Sequence, residues 1–144
     1  MATKQMVSII ALAFVLSIIT VSDIVNAGAP FVITVGDEKG WTVGFDYQAW
    51  AQNKQFYVGN ALVFNYPQGD HNVIMAVNAS AFENCLHQPN WGILESGADS
   101  LFLTAPGDMW FFCGVQEHCE MGQKLKITVT ESYFYNPPAP APEA

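Results

Sequence analysis

The chain has 144 residues, of which only 12 % are charged, and its formal net charge at pH 7 is −8. Five basic residues against 13 acidic ones exclude nucleic acid as a natural ligand, because the neutralisation of phosphates requires clusters of Lys and Arg. The hydrophobic fraction is 51 %, and part of it lies in one apolar stretch near the start of the chain.

That stretch is an uncharged run over residues 5–22, and it follows Lys4. Farther on come Val25-Asn26-Ala27, residues at the positions that a signal peptidase reads. A charged start, an apolar middle and a small-residue end predict a secretory signal peptide over residues 1–27. The alternative is a transmembrane anchor, but the strongly apolar part is short for a membrane span. We therefore expect secretion, with no stable membrane insertion after the signal is removed.

After the signal peptide we predict one domain over residues 28–131 and a Pro-rich tail over residues 132–144. The tail reads SYFYNPPAPAPEA and is too rich in proline to pack as a strand, so we expect an extended end. It lacks the apolar segment of a lipid-anchor attachment signal, which favours soluble secretion.

Short strands separated by turn residues dominate the predicted domain. A hairpin is expected from the strands at 56–58 and 61–66, which are joined by Gly59-Asn60, and residues 86–100 read as loop. The predicted strands cover residues 31–35, 56–58, 61–66, 71–77, 100–105, 109–113 and 124–129. Many short strands with regular turn signals predict an all-β fold, a Greek-key sandwich or barrel with one or two short helices.

Two short helices are predicted from their capping residues. Asp46 is expected to cap a helix over 47–51, and Ser80 to begin a second one, since Glu83 follows it at capping-box spacing. Asn78 begins the sequon Asn-Ala-Ser, which predicts N-glycosylation on a surface loop of a secreted protein.

The residues with the clearest chemistry follow the strand at 109–113. Cys113, His118 and Gln123 lie at intervals of five, and a thiolate, an imidazole and a third donor on one segment form a metal-ligand pattern. With a second imidazole from His71 they complete the His₂Cys set of copper electron-transfer sites. A zinc site with Cys and His ligands is the alternative metal. His87 lies in a polar loop and is expected to be exposed rather than bound to metal.

Three cysteines in a secreted chain leave one unpaired. If Cys113 binds a metal as thiolate, Cys85 and Cys119 remain to pair, and Cys119 can face away from the metal because adjacent residues in extended chain point to opposite sides. The alternative is a Cys113–Cys119 bond, with Cys85 free or paired to another molecule.

Several motifs together resemble one protein family. They are Gly40-Trp41-Thr42-Val43, the run FNYPQGDHNV at 64–73, Cys85, and WFFCGVQEHCEMGQK at 110–124. This pattern resembles the phytocyanins, plant blue copper proteins of the cupredoxin superfamily, over about residues 31–130. The resemblance implies a cupredoxin-like fold and one type 1 copper ion.

The resemblance also assigns the ligands. It implies that copper is bound by His71, Cys113 and His118, with the residue five positions after the second histidine as axial ligand. That residue is Gln123, as in the stellacyanin-like branch, whereas other branches carry Met there. Met121 is the less favoured candidate, because it lies three positions after His118. An axial amide oxygen is harder than a thioether and favours Cu(II).

The resemblance further implies a Cys85–Cys119 disulfide. It also implies that Asn72 ties the His71 segment to the ligand loop, residues 113–123. The expected function is one-electron transfer by a secreted, monomeric protein of the apoplast, with association with the cell surface left open, and no catalytic residues are expected. The redox partner is left open between a protein and a small phenolic compound. The alternative function is an extracellular or cell-wall binding module in which copper is incidental.

Overall fold

The structure is a computed structural model that describes residues 31–131. The predicted signal peptide and the predicted tail, residues 132–144, lie outside the described residues. Eight strands are found within the described range: β1 Val32–Thr34, β2 Phe56–Tyr57, β3 Ala61–Asn65, β4 Val73–Ala76, β5 Asn90–Leu94, β6 Ala98–Phe102, β7 Gly107–Phe112 and β8 Lys124–Thr130. They are joined by two short helices, α1 Tyr47–Gln52 and α2 Ala79–Glu83, and by a 3₁₀ turn at Asp37–Lys39. No helix of this range is long and apolar enough to cross a membrane.

The strands form two sheets. One has three strands in the order β1-β3-β6, and the other has five in the order β2-β8-β7-β4-β5. Most neighbours are antiparallel, but β1 pairs with β3 and β2 pairs with β8 in parallel. The all-β sandwich is therefore confirmed, and the described strands do not close into a barrel.

The main core lies between the two sheets. The three-stranded sheet contributes Ile33, Leu62 and Phe64, and the five-stranded sheet contributes Val73, Phe111, Leu125, Ile127 and Val129. Trp41 and Tyr47 close one side, and the Trp41 ring meets Phe64 edge-on at a centroid distance of 5.3 Å. Burial of these large side chains, each worth about 1.5–3 kcal/mol, is the main stabilising contribution to the sandwich.

A second apolar cluster lies on the outer face of the five-stranded sheet. Alternate residues of β4 and β7 point outward there and are covered by α2, and the cluster consists of Ile74, Ala76, Ala81, Phe112 and Cys119. The disulfide joins Cys85 to Cys119 with a Cα–Cα distance of 5.9 Å, and Cys113 is the free, buried cysteine. The predicted pairing is confirmed, and it ties the end of α2 to the ligand loop.

Both predicted helices exist, with one change of cap. Asp46 caps α1, since its side chain accepts a hydrogen bond of 2.9 Å from the Ala49 N–H. The cap of α2 is Asn78 rather than Ser80, because the Asn78 side chain accepts the Ala81 N–H at 2.9 Å. Asn78 satisfies a helix N–H just as well, and it places the helix start two residues earlier.

The hairpin predicted over residues 56–66 is wrong. The two strands belong to different sheets, because β2 pairs with β8 and β3 pairs with β1 and β6. Gly59 and Asn60 carry the chain between the sheets: the Asn60 side chain accepts the Tyr57 N–H at 2.9 Å, and the Gly59 N–H donates to the Leu103 carbonyl. Turn residues mark a change of direction, but they do not tell which strands pair afterwards.

The loop predicted over residues 86–100 is also wrong in its second half. Strands β5 and β6 occupy much of that range, and each lies at the edge of its sheet. Their residues alternate only between exposed and half-buried positions, and Trp91 is 75 % exposed. An edge strand with one solvent-exposed side lacks the regular alternation of apolar and polar residues by which a strand is identified in a sequence.

Gly36 makes a turn that only glycine fits. Its φ is +76°, and a Cβ atom there would lie 2.2 Å from the carbonyl oxygen of Gly40. Gly44 has nearly the same φ, +75°, but a Cβ atom there would meet nothing within 4 Å. The two glycines therefore share the backbone strain of a side chain at positive φ and differ only in the clash.

We expect Gly36→Ala to destabilise the fold more than Gly44→Ala. Both variants force an L-residue into the left-handed region at a cost of about 1 kcal/mol. Gly36→Ala adds an overlap with backbone, which we expect to cost about 1–3 kcal/mol more. Chemical denaturation of the metal-free protein measures the free energy of unfolding of each variant. Equal losses would show that the turn relaxes around the added methyl group.

Candidate metal centre

Two separate segments bring the predicted donors together. His71 lies two residues before β4, whereas Cys113 directly follows β7 and the other two lie in the loop that leads to β8. Backbone hydrogen bonds close this ligand loop, since Cys113 N–H donates to the Gln123 carbonyl at 3.0 Å and Gln123 N–H donates to the His118 carbonyl at 2.9 Å. The loop is thereby held as one unit at the end of the sandwich.

Three donor atoms converge at this end of the sandwich. The Nδ1 atoms of His71 and His118 are 3.1 Å apart, and Cys113 Sγ lies 3.9 Å from the first and 3.5 Å from the second. Cys113 is fully buried, and each imidazole is half-buried. Within residues 31–131, these three side chains form the group of His, Cys, Asp or Glu residues whose donor atoms are close enough together to bind one metal ion.

These separations suit a single metal ion. Ligand nitrogens about 2.0–2.1 Å and a thiolate about 2.3 Å from one ion, as in zinc sites, lie about 3–4 Å from each other. Two imidazole nitrogens also face each other directly, an arrangement that is stabilised only by a proton or a cation between them. The donors of this site therefore fit a bound metal.

Gln123 is the buried polar group of the site. Its side chain is 0 % exposed, and within residues 31–131 neither its amide oxygen nor its amide nitrogen has a hydrogen-bond partner of ordinary geometry. The Gln123 side chain also lies near the His71 ring, and this interaction raises the pKa of that imidazole. An unpaired buried amide costs about 1–3 kcal/mol, so its retention at the donor group indicates a ligand for one of these atoms.

Burial sets the protonation of the donors. It lowers the pKa of His71, and the neighbouring His118 lowers it further, while Asp70 and Gln123 oppose the shift. Burial also raises the pKa of the Cys113 thiol, whereas the nearby backbone N–H groups of Asn72 and Val115 favour the thiolate. A neutral imidazole is ready to bind metal, and the thiol must release its proton on binding.

Asn72 joins the two donor segments. Its side-chain oxygen accepts a hydrogen bond of 2.6 Å from the N–H of Gly114, the residue after Cys113. A Cβ atom at Gly114 would lie 2.4 Å from the Ile74 side chain and 3.3 Å from the Asn72 oxygen, so glycine permits this close approach. The contact predicted for Asn72 is present in the structure.

Two supporting residues had no predicted role. The Trp41 indole N–H donates to the Asn72 carbonyl at 2.9 Å, and the Tyr66 ring lies edge-on to His71 at a centroid distance of 6.4 Å. Both are buried, Trp41 at 1 % and Tyr66 at 8 % exposure. Tyr66 precedes His71 by five residues, a proximity that could have identified it, whereas Trp41 is 31 residues from Asn72 and carries no local signal.

The remaining predicted residues lie outside the donor group. His87 is exposed, with its ring 6.1 Å from that of Phe112, and Met121 is 62 % exposed on the ligand loop. Asn78 is exposed at the start of α2. The structure thus brings together His71, Cys113, His118 and Gln123, and it keeps Met121 pointing to solvent.

Comparison with known proteins matches this architecture. Residues 41–123 match the family model described as a plastocyanin-like domain. The chain is 48 % identical over 134 residues to a blue copper protein of Petunia hybrida, covering 87 % of this chain and 50 % of the relative. It is 42 % identical over 143 residues to blue copper protein 1b of Medicago truncatula, covering 99 % of this chain and 82 % of the relative.

A solved structure agrees with these relatives. Cucumber stellacyanin with Cu²⁺ superposes with a TM-score of 0.66 at 32 % sequence identity, covering 72 % of this chain and 98 % of the other. The chain spans only about half the length of the petunia relative, so the similarity concerns the domain that carries the donor group. The family match extends from Trp41 to Gln123 and includes every donor. The chain therefore belongs to the plastocyanin-like domain family, among the phytocyanins.

Proposed function

We propose that this chain is a secreted type 1 copper protein that carries single electrons. The observation that carries the proposal is the convergence of a buried thiol and two imidazole nitrogens within 3.9 Å of one another, next to a buried amide that has no hydrogen-bond partner in the described part of the chain. His71, Cys113 and His118 are the proposed equatorial ligands of one copper ion, and Gln123 is the proposed axial ligand. Copper supplies the one-electron chemistry by alternating between Cu(II) and Cu(I).

The residues favour copper over zinc. Structural zinc sites take four strong Cys or His ligands, and carboxylates replace them in other sites. Here the fourth group is a neutral amide, which suits the weak axial position of a His₂Cys copper site. Zinc would also leave the chain without redox chemistry, whereas relatives named blue copper proteins share its domain.

The protein's part in electron transfer is to hold the donors still and to exclude water. Cys113 is fixed by burial and by its backbone bond to Gln123, and the sandwich leaves part of each imidazole at the surface. The half-buried imidazoles are the proposed route by which electrons reach the partner. A site with four protein ligands has no open position for a substrate, which agrees with a carrier rather than an enzyme.

An extracellular setting is part of the proposal, and it is supported by the disulfide and by the predicted signal peptide. Disulfides persist in oxidising compartments, and the Cys85–Cys119 bond suits the apoplast. Asn78 is the proposed glycan acceptor: it is exposed, and its amide oxygen caps α2 by accepting the Ala81 N–H. We propose a monomer whose redox partner is a protein or a small phenolic compound.

The first test is the visible spectrum of the purified protein loaded with Cu(II). We expect an intense blue band from thiolate-to-copper charge transfer, because the thiolate of Cys113 is the soft ligand of the set. Cys113→Ser removes that thiolate and should abolish the band completely. Met121→Leu is the matched control on the same loop and should keep it, since that side chain is exposed. A colourless wild-type protein with an intact disulfide would contradict the proposal and favour the cell-wall binding module.

The axial assignment is tested by Gln123→Met. A thioether favours Cu(I) more than an amide oxygen does, so the reduction potential should rise. A tenfold change in the relative affinities for the two oxidation states corresponds to about 59 mV for one electron, and we expect a rise of at least this size. Cyclic voltammetry measures it, with Met121→Leu as the control. An unchanged or lowered potential would show that Gln123 is not the axial ligand.

The link between the two donor segments is tested by Asn72→Ala. This variant removes the acceptor of the Gly114 N–H, which we expect to lower copper affinity about 10–100-fold and stability by about 1–2 kcal/mol. Chelator competition measures the affinity. Asn84→Ala is the control, because it also removes a side-chain bond to backbone, the 2.9 Å bond to the Ser80 carbonyl at the end of α2. Equal copper affinity in both variants would show that Asn72 does not contribute to copper binding.

A further inference from the structure

Tyr66 lies between the proposed ligand His71 and the rest of the sandwich. It directly follows β3, and its side chain is 8 % exposed. Its hydroxyl donates to the Asp99 carboxylate and also lies 3.0 Å from the Leu94 carbonyl oxygen. Burial and the bond to Asp99 raise the pKa of Tyr66, so the hydroxyl remains a donor at neutral pH.

The partners of this hydroxyl belong to different sheets. Asp99 is part of β6 in the three-stranded sheet, and Leu94 ends β5 at the edge of the five-stranded sheet. Asp99 is itself held by Ser96, whose hydroxyl donates to it at 2.7 Å and whose N–H donates at 3.2 Å. The Tyr66 N–H completes the arrangement by donating to the Gly97 carbonyl at 2.9 Å. One side chain therefore connects both sheets at the end that carries the metal centre.

The ring of Tyr66 faces His71. The two rings meet edge-on at 85° with centroids 6.4 Å apart, and the other ring contact of His71 within residues 31–131 is with His118, at 4.9 Å. The residues between Tyr66 and His71 are all exposed, so the turn itself offers the imidazole little packing. Asn72 holds the backbone that follows His71, and Tyr66 adds a buried ring in contact with the imidazole.

We propose that Tyr66 is a positioning residue for the metal centre. Its hydroxyl donates to Asp99, next to the Leu94 carbonyl, and the ring anchored in this way sets the orientation of the His71 imidazole. The inference rests on the proposed role of His71 as a copper ligand. The edge contact limits the tilt of the imidazole, and the hydroxyl bonds limit the movement of the phenol ring that makes this contact. Without the hydroxyl bond the Tyr66 ring still occupies its place beside His71, but it is no longer fixed there. The His71 imidazole can then turn away from the other donors.

The test compares Tyr66→Phe with wild type in the full chain. We expect copper to dissociate about tenfold faster in chelator competition, as for other residues that orient metal ligands, and the visible band to shift. In the copper-free protein, the NMR signals of the His71 ring should also move. Tyr57→Phe on β2 is the control, since it also removes a tyrosine hydroxyl bond, the one to Gln55. A blue wild type in which Tyr66→Phe matches Tyr57→Phe in all three measurements overturns the inference, while a colourless wild type contradicts the proposed function itself.

Asp99 provides an independent variant. Asp99→Ala removes the acceptor without touching the Tyr66 ring, and it should reproduce the faster copper loss even where Tyr66→Phe does not fold. If the hydrogen bond is the route of the effect, the double variant loses copper no faster than the more affected single variant. Asp99→Asn keeps an acceptor oxygen and should restore the wild-type rate. Additive effects of the two substitutions, or no effect of Asp99→Ala, would overturn the role of this bond.

Discussion

The hydrogen bond between Asn72 and Gly114 is the contact on which the metal centre depends. One donor comes from the segment before β4 and the others from the loop after β7, so the site exists only if these segments stay together. The bond joins them at 2.6 Å, directly beside His71 and Cys113. Because the segments are 42 residues apart, closing this contact requires the fold to form first. The geometry of the centre is thus a property of the sandwich and not of either segment alone.

The ligand loop shows what this arrangement costs in stability. Gln123 places an amide in the core that has no hydrogen-bond partner among residues 31–131, and two half-buried imidazoles face each other at 3.1 Å. A core selected for stability alone would fill this space with apolar side chains. The sandwich tolerates the loss because both sides of the five-stranded sheet are packed, and because the disulfide fixes Cys119 next to His118. Such rigid, partly unsatisfied polar sites are a sign of function rather than of folding.

The sequence predicted the site better than the fold around it. The donors are recognisable because residue type and spacing carry the chemistry, and the odd number of cysteines predicts one unpaired cysteine without telling which one it is. Strand pairing is different, since it depends on partners far away in the chain. The parallel pairing of β2 with β8 joins residues more than 70 positions apart, and no local pattern around Gly59 reports it. For the same reason the indole bond from Trp41 to the Asn72 carbonyl was not foreseen.

The supporting residues around His71 explain how one imidazole is held from a short, exposed turn. Trp41 fixes the backbone of Asn72, Asn72 fixes the ligand loop, and Tyr66 packs against the ring from the other side. Each of these contacts begins in a different part of the fold, so a movement of His71 would have to break several of them at once. If copper is bound by these donors, the packing would restrict how far they move when the oxidation state of the metal changes. If the chain carries electrons as proposed, the packing behind the ligands, and not only the ligands themselves, would keep the rearrangement of the site small.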